Sequence, residues 1–252
     1  IYMGDWSSDV CSSDLAGRRA IYDRMYDELF AQVLDHPRLT RTNDPARAAR
    51  NSRNKLQLIG RLLQSRMTIA EIAPGDCLFL AQLAARVRFA YGIDICDQRP
   101  ATLVPPANLR LIVYDGYDTH EIADASLDLV FSDQLIEHLH PQDTAEHFRF
   151  VRRLLKPGGR YLFRTPHALT GPHDVSAYFS DQPLGFHLKE WTYGELDHLL
   201  AQTGFRQWKK YWAVRSCRAT LPTAYFNVCE GTLGRLPKKL ARPAIWRSKS
   251  VV

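Results

Sequence analysis

Apolar residues near the start of the chain recur about once per helical turn, and this spacing predicts two helices. The first helix is predicted over 17–35, where the residues at helical spacing are Ile21, Met25, Leu29 and Val33. Asp44 and Pro45 suit the cap and first turn of a second helix, which runs to about Gln64. Together the two helices predict a helical cap over residues 16–66.

From residue 67 the pattern changes to short apolar runs, several of them separated by helical stretches. The runs predict strands over 67–72, 89–95, 109–115, 127–132, 159–165 and 205–214, with the start of another in 245–252. The helical stretches lie at 80–87, 143–155 and 191–204, and a Lys-Pro-Gly-Gly turn at 156–159 follows the second. Strands that alternate with helices run parallel, with right-handed crossovers. The sequence therefore predicts an α/β fold, a Rossmann-like, doubly wound, mostly parallel seven-stranded sheet with N-terminal helices, whose last strand is antiparallel and cut short.

The far end of the chain is basic, and a helix is predicted there over 221–240 as an insertion within a domain spanning 67–252. The predicted buried face of this helix consists of Leu221, Tyr225, Val228 and Leu233. A basic cluster lies just beyond its later turns and consists of Arg235, Lys238, Lys239 and Arg242. From Arg206 onward there are eleven Lys or Arg residues and one acid, Glu230. A solvated surface explains this bias, and contact with an anionic acceptor or a membrane surface is the alternative. No nucleic-acid-binding signature accompanies it, so nucleic acid is not expected as a partner.

Composition limits the remaining classes of protein. The chain has 252 residues, a net charge of +6, scattered cysteines and no apolar run long enough to cross a bilayer. We therefore expect a cytoplasmic protein with reduced thiols and no metal site. Residues 1–15, in which SSDV at 7–10 is echoed by SSDL at 12–15, resemble the translation of a sequencing adapter. This segment is set aside as non-native.

The turn after the first predicted strand discriminates between nucleotide ligands. Ligands of such sheets bind beyond the carboxyl ends of the strands. The turn reads EIAPGDC over 71–77, with one glycine and no basic residue, so it does not match a phosphate-cradling loop. Its carboxylates, Glu71 and Asp76, would repel a pyrophosphate but suit a ligand with a sulfonium and an ammonium group. The turn therefore favours a cationic adenosyl cofactor over NAD or ATP.

Two further aspartates end the next two predicted strands. At Asp94, a carboxylate can accept both hydroxyl protons of an adenosine ribose. Asp115, followed by Gly116, is placed to meet the adenine amino group. An aspartate at a strand end is also a common cap or turn residue, so each observation alone is weak. Acids at three successive strand ends together favour a cofactor site.

These motifs, taken in order, resemble the class I S-adenosylmethionine-dependent methyltransferases, and especially the small-molecule enzymes called type 11. The resemblance covers roughly residues 67–214 and is carried by EIAPGDC, GIDI, YDG, LDLVFSDQLIEHL, LLKPGGRYLFRTP and GPHDVSAYFSDQPLGFHLKEWT. It implies S-adenosyl-L-methionine as cofactor and methyl transfer to a small-molecule or lipid-like acceptor. It also implies the cofactor-binding residues, which are Glu71, Ala73, Gly75, Asp76, Asp94, Ile95, Asp115, Gly116 and Ser132. The family usually has glycine where Ala73 and Cys77 stand.

Three histidines are the predicted catalytic residues. Methyl transfer mainly requires alignment of the reacting atoms, and a hydroxyl acceptor also needs a base. His138, His187 and His173, in that order of preference, follow the fourth or fifth predicted strand. For each of them a structural or surface role is the alternative. Four aromatic residues would wall an apolar acceptor pocket or belong to ordinary core packing: Tyr178, Phe179, Phe186 and Trp191.

Two other classes of protein stay open at this point. A nicotinamide oxidoreductase shares the predicted fold but would need the glycine fingerprint that the chain lacks. A catalytically decayed adenosyl-cofactor-binding protein, or a partner-binding module that uses the basic end, is consistent with the missing loop glycines. Binding of S-adenosylhomocysteine separates these classes.

Overall fold

The structure is a computed structural model that describes residues 9–11, 13–32, 45–214, 217–220, 222–235 and 250–251. The chain divides into two compact units. The first unit is Ile1–Phe131 with Leu154–Arg160, and the second is Ser132–Arg153 with Tyr161–Val252.

Two helices precede the first strand in the first unit. Helix α1 spans Leu15–Gln32, and helix α2 spans Pro45–Ile59 and continues as a short 3-10 turn at Gly60–Leu62. Both predicted helices are confirmed over the described residues, and 33–44 lie outside them. Ile21, on the predicted apolar face of α1, is buried as expected.

The first unit contains the parallel core of the sheet. Its elements are β1 (Thr68–Ile72), α3 (Leu78–Ala84), β2 (Phe89–Asp94), β3 (Leu109–Val113), and parts of β4 (Leu127–Asp133) and β5 (Leu155–Thr165). The strand order is β3-β2-β1-β4-β5, with β1 parallel to β2 and β2 parallel to β3. The chain therefore adds strands on one side of β1 as far as β3 and then on the other side with β4 and β5, which defines a doubly wound sheet. The predicted Rossmann-like α/β fold is confirmed, and its parallel part has five strands.

Strand β5 begins earlier than the sequence predicts. It starts at Leu155, directly after a helix, so the turn predicted at 156–159 lies inside the strand. Lys156 donates from Nζ to Asp128 Oδ1 at 2.7 Å, which ties the start of β5 to β4. A side chain at Gly159 would come within 2.9 Å of a β4 carbonyl oxygen, so the glycine permits close strand contact rather than a turn.

The second unit contains the later helices and a set of antiparallel strands. Its elements are α4 (Pro141–Leu154), α5 (Tyr193–Gln202), β6 (Tyr211–Val214), β7 (Cys217–Thr220), α6 (Thr223–Leu233) and β8 (Ser250–Val251). Strand order in this unit is β4-β5-β8-β6-β7, and β8 is antiparallel to both β5 and β6. The described residues thus form eight strands where seven were predicted. The additional strand, β7, pairs with β6 in an antiparallel ladder.

The strand predicted over 205–214 is reduced to its last four residues. Asp197 of α5 accepts hydrogen bonds from Trp208 Nε1 at 2.7 Å and from Lys210 Nζ at 2.6 Å. These side-chain contacts hold the segment against the helix, so it does not join the sheet until Tyr211.

Helix α5 starts as predicted, with a capping box. The Thr192 hydroxyl accepts from the Glu195 N–H, and the Glu195 carboxylate accepts from the Thr192 N–H. The helix contributes to the apolar core of the second unit, whose buried members include Ile136, Phe148, Phe163, Trp191, Tyr193, Leu196 and Phe226. Two of them, Phe148 and Phe163, meet edge to face with ring centroids 5.3 Å apart.

Helix α6 packs against α5, but two residues of its predicted buried face are exposed. Tyr225 and Val228 are 44% and 68% exposed, whereas Phe226 is fully buried and its ring lies 4.7 Å from that of Tyr193. Contact with this aromatic ring, rather than the helix's own periodicity, selects the inner face. Leu221 and the basic residues Lys238, Lys239 and Arg242 lie outside the described residues.

The single acid of the basic end, Glu230, fastens α6 to its surroundings. Its carboxylate accepts from His167 Nε2 at 2.8 Å and from the Gly194 N–H at 3.1 Å, and it also accepts from the Tyr193 N–H. Burial acts to raise the pKa of Glu230, but these hydrogen bonds outweigh it and hold the pKa below its usual range. The carboxylate therefore caps the start of α5 as an anion.

Part of the segment set aside at the start of the chain is described. Val10 is buried, and Asp14 Oδ1 accepts from the Gly17 N–H at 2.8 Å in the first turn of α1. The origin of residues 1–15 stays a prediction. Among the described residues, no helix is both long and apolar enough to span a membrane.

Candidate functional site

The loop after β1 holds three residues in the left-handed backbone region. Ala73, Gly75 and Cys77 have φ values of 56°, 59° and 56°. For a residue with a side chain this conformation costs about 1 to 2 kcal/mol. The loop therefore keeps a glycine-like conformation at the two positions where the resembling family usually has glycine, and it does so at the expense of strain.

Replacing Ala73 with glycine should relieve this strain. We expect Ala73→Gly to raise the free energy of unfolding by up to about 1 kcal/mol, because the strain lost exceeds the backbone entropy that glycine adds. Urea denaturation measures the change, with Ala81→Gly inside helix α3 as the matched control. The control should lower stability by about 1 kcal/mol, and a similar loss in Ala73→Gly would contradict the strain argument.

Asp94, at the end of β2, organises this loop. Its Oδ2 accepts from the Gly75 N–H at 3.1 Å, and its Oδ1 accepts from the Ile95 N–H at 2.8 Å. The carboxylate is buried, so its charge is held by backbone donors at the carboxyl ends of β1 and β2. This is where the sequence places the ribose-binding acid.

Cys77 lies beneath the same loop and is fully buried. Burial, reinforced by the nearby carboxylates of Glu71 and Asp94, raises the pKa of the Cys77 thiol to about 12. The thiol is therefore protonated at neutral pH and does not serve as a nucleophile. Asp76, the other predicted acid of the loop, accepts from the Leu78 N–H at 3.1 Å and so satisfies the first N–H of helix α3 from the position before the N-cap residue Cys77.

Glu71 has a partner that sequence reasoning missed. Lys55 of helix α2 places Nζ 2.8 Å from Glu71 Oε1, and the carboxylate is only 1% exposed. The same ammonium lies 5.2 Å from the centre of the Phe79 ring. In the chain by itself, the Lys55 ammonium group therefore neutralises the Glu71 carboxylate, whose partner was predicted from the sequence to be a cationic cofactor.

Asp115 and Gly116 follow β3 in a tight turn. Asp115 Oδ1 accepts from the N–H groups of Tyr117 and Asp118 at 2.9 and 3.0 Å, and Gly116 has a φ of 87°. Arg19 of helix α1 lies 3.8 Å from Asp115 Oδ2 and covers the Tyr117 ring at 4.5 Å. Asp115 thus has the turn-forming role that the sequence left open as an alternative. Its ion pair with Arg19 of α1 was not predicted from the sequence.

Ser132 belongs to the second unit, whereas the other predicted cofactor residues belong to the first. Its hydroxyl lies 2.7 Å from Tyr161 Oη, which in turn lies 2.8 Å from His147 Nε2. Burial lowers the pKa of His147 to about 4 and raises the pKa of Tyr161. All three groups are therefore neutral, and they form a buried hydrogen-bonded chain.

Two of the predicted catalytic histidines meet in the second unit. The rings of His138 and His187 are perpendicular, with centroids 5.0 Å apart. His187 Nδ1 lies 2.7 Å from Glu190 Oε1, and His138 Nδ1 lies 2.9 Å from the Phe186 carbonyl oxygen. These distances bring together segments almost fifty residues apart in the chain. We call Glu137, His138, His187 and Glu190 the histidine–carboxylate cluster.

The third predicted histidine, His173, lies beside the cluster. Its N–H donates to Glu190 Oε1 at 2.6 Å, and its Nδ1 is 3.6 Å from Glu190 Oε2. Its Nε2 lies 3.1 Å from the Thr170 hydroxyl. Glu190 thus links His173 and His187, a role that the three-residue spacing of His187 and Glu190 could have signalled.

Glu137 is the other member of the cluster that sequence reasoning missed. It is fully buried, and burial raises its pKa to about 7. Oε2 accepts from the Thr165 hydroxyl at 2.9 Å, whereas Oε1 has no hydrogen-bond partner among the described residues. One ligand atom from each of Glu137, His138 and His187 lies within 4.8 Å of the others, so these residues could hold a metal ion.

The aromatic residues predicted to wall an acceptor pocket separate into two groups. Trp191 is buried in the core of the second unit, as the packing alternative requires. Tyr178 and Phe179 are 90% and 66% exposed, and Phe186 is partly buried. Only the core role of Trp191 is therefore visible in the contacts.

The fold and the strand-end residues define a Rossmann-like α/β protein with an acidic, glycine-poor loop after its first strand. Residues 70–163 match the family model described as "Methyltransferase domain", Methyltransf_11. This match confirms the resemblance to the S-adenosylmethionine-dependent methyltransferases that the motifs carry.

A curated relative matches part of the chain. A protein of Mycolicibacterium smegmatis described as "Probable S-adenosylmethionine-dependent methyltransferase" is 40% identical over 88 residues, which are 33% of this chain. The matched segment spans 30% of the relative's length.

Two solved structures show the same fold. One is 1,6-didemethyltoxoflavin-N1-methyltransferase of Burkholderia thailandensis, with 13% identity, a TM-score of 0.61, and coverage of 95% of this chain and 88% of that one. The other is phosphoethanolamine N-methyltransferase 1 of Haemonchus contortus, with 17% identity, a TM-score of 0.57, and coverage of 75% and 41%. Both were solved with S-adenosylhomocysteine. At these identities the likeness concerns the fold.

Proposed function

We propose that this chain is an S-adenosylmethionine-dependent methyltransferase that acts on a small-molecule or lipid-like acceptor. The observation that carries the proposal is the buried Asp94 at the end of β2, which anchors the loop after β1 through the Gly75 N–H. A buried carboxylate at this strand end suits paired ribose hydroxyls. The type 11 methyltransferase domain over residues 70–163 supports the same cofactor.

The cofactor binds at the strand ends of the first unit. Asp94 accepts the ribose hydroxyls, and the loop from Glu71 to Cys77 surrounds the methionine part. Lys55 then has to share Glu71 with the cofactor ammonium group, because the carboxylate is almost completely buried. Asp115 and Gly116 border the adenine.

The acceptor binds to the second unit. When bound, S-adenosylmethionine supplies a sulfonium methyl group that an acceptor lone pair takes by in-line displacement. The histidine–carboxylate cluster promotes loss of the acceptor proton, since it combines two imidazoles with two buried carboxylates. His173 extends the cluster through Glu190.

The nature of the acceptor rests on two observations. The neighbours of known structure are named for small molecules, phosphoethanolamine and 1,6-didemethyltoxoflavin. The second unit also exposes apolar side chains close together in sequence, at Tyr178, Phe179 and Leu184. Exposed apolar residues of this kind suit a lipid-like acceptor as well as a small aromatic one.

Calorimetry with S-adenosylhomocysteine tests the proposal on the full chain. We expect one molecule bound per chain and no binding of NAD. Transfer of a labelled methyl group from S-adenosylmethionine to small-molecule and lipid extracts then separates an active enzyme from a decayed cofactor-binding protein. Binding of NAD without S-adenosylhomocysteine would overturn the proposal in favour of an oxidoreductase, and binding without transfer to either extract would favour the decayed protein.

A further inference from the structure

The centre of the histidine–carboxylate cluster contains an unusual buried acceptor. Glu137 is fully buried, yet its Oε1 has no hydrogen-bond partner among the described residues. A buried carboxylate oxygen without a donor carries a desolvation cost that a bound cation would remove. Thr165 holds the other oxygen at 2.9 Å, so the orientation of the carboxylate is defined.

Both histidines of the cluster are held in the tautomer that metal-binding histidines adopt. The Phe186 carbonyl oxygen can only accept, so His138 donates to it from Nδ1. His187 likewise donates from Nδ1 to the Glu190 carboxylate. In each ring the lone pair is therefore on Nε2, and the pairing with a carbonyl or carboxylate is the usual support of a histidine ligand.

The backbone fixes the two segments of the cluster relative to each other. The Glu137 carbonyl oxygen accepts from the N–H groups of Leu188 and Lys189 at 2.8 and 3.2 Å. The His187 N–H donates to Asp174 Oδ2 at 3.1 Å. These bonds position His187 beside Glu137 without any ligand, which lowers the entropic cost of forming a metal site.

We propose that Glu137, His138 and His187 bind one divalent transition-metal ion of the zinc type through a carboxylate oxygen and two imidazole nitrogens. Their ligand atoms lie within 4.8 Å of one another, and ligands of one tetrahedral ion lie about 3.4 Å apart, so small side-chain rotations complete the site. Two imidazoles favour Zn²⁺ or Co²⁺ over Mg²⁺, which prefers oxygen ligands.

Three protein ligands leave a coordination position for a water molecule or another oxygen donor. An ion there polarises the oxygen and lowers the pKa of its proton. If that oxygen belongs to the methyl acceptor, the ion performs the proton-releasing role of the cluster; this last step rests on the proposed function. Metal binding itself requires neither the cofactor nor the acceptor.

Metal titration of the chelator-treated full chain tests the site. Calorimetry with Zn²⁺, and visible absorption with Co²⁺, should both show one ion per chain, while millimolar Mg²⁺ should not compete. Glu137→Gln and His187→Ala should each weaken Zn²⁺ binding by about 100-fold, and Glu190→Gln should weaken it by about 10-fold as a positioning residue. His198→Ala, which removes an exposed histidine on α5, is the matched control and should bind as the parent does.

Circular dichroism of the metal-free variants checks that each is folded before titration. Glu137→Gln keeps the volume of the side chain, so its result decides the question even if His187→Ala fails to fold. Absence of one-equivalent Zn²⁺ and Co²⁺ binding would overturn the proposal, as would equal Zn²⁺ affinity in the parent and Glu137→Gln. If the parent chain binds the metal ion but does not bind S-adenosylhomocysteine, the proposed function is overturned and the metal site is not.

Discussion

Asp94→Ala is expected to remove S-adenosylhomocysteine binding almost completely. Two ribose hydroxyls would each lose a hydrogen bond to a buried, charged acceptor, worth about 1.5 to 3 kcal/mol apiece. A total of about 3 kcal/mol corresponds to an affinity at least about 100-fold weaker. Because Asp94 also accepts from the Gly75 N–H, the loop after β1 loses an anchor in the same variant. Calorimetry measures the affinity, and thermal unfolding measures the cost to the loop.

Two further variants separate these effects. Asp94→Asn retains a side-chain oxygen for one backbone donor, so its melting temperature should be closer to that of the parent than the melting temperature of Asp94→Ala. It should still lose most of the affinity for S-adenosylhomocysteine. Asp97→Asn removes the same charge three residues away, where the carboxylate is exposed and paired with Arg99. It should leave affinity within about twofold, as expected for an exposed ion pair. Unchanged binding in Asp94→Ala would refute the ribose-binding role.

Lys55→Met is expected to cause the largest loss of stability. Without the ammonium group, Glu71 would be left as a buried carboxylate, and removal of one member of a buried ion pair costs about 3 to 5 kcal/mol. Since Lys55 is partly exposed, we expect the lower end of this range. Urea denaturation should show a lower midpoint with an unchanged slope.

The paired substitution identifies the cause. Combining Lys55→Met with Glu71→Gln removes both charges and should recover most of the lost stability. Arg110→Met breaks an ion pair with Glu121 whose two side chains are both exposed, so it should change the free energy of unfolding by no more than about 1 kcal/mol. If the double variant is no more stable than Lys55→Met, the buried charge is not the source of the loss.

Features with a local cause were predicted well from the sequence. The apolar runs located β1, β2 and β4 to within one residue at either end. The spacing of Thr192 and Glu195 identified the start of α5, because both partners of a capping box lie within one turn. The sequence also showed that alanine stands at position 73, where the family usually has glycine. Only the structure shows that the backbone at Ala73 keeps a positive φ.

Features decided by distant contacts were not predicted. Helical periodicity assigned Tyr225 and Val228 to the buried face of α6, but the Tyr193 ring and the backbone N–H groups at the start of α5 bind Phe226 and Glu230 instead. The Lys-Pro-Gly-Gly segment resembles a turn locally, yet the Lys156–Asp128 ion pair makes it the start of β5. In both cases a tertiary partner outweighed a weak local preference.

The sequence by itself determined the class of fold and the strand-end acids, since hydrophobic periodicity and turn residues act over a few positions. Only the tertiary structure decided which charges meet. Lys55 neutralises Glu71 from sixteen residues away, and Glu137 and His138 join His187 from a separate segment. The strength of such pairs depends on how completely water is excluded around them. That exclusion is a property of the packed chain and leaves no periodic signal along the sequence.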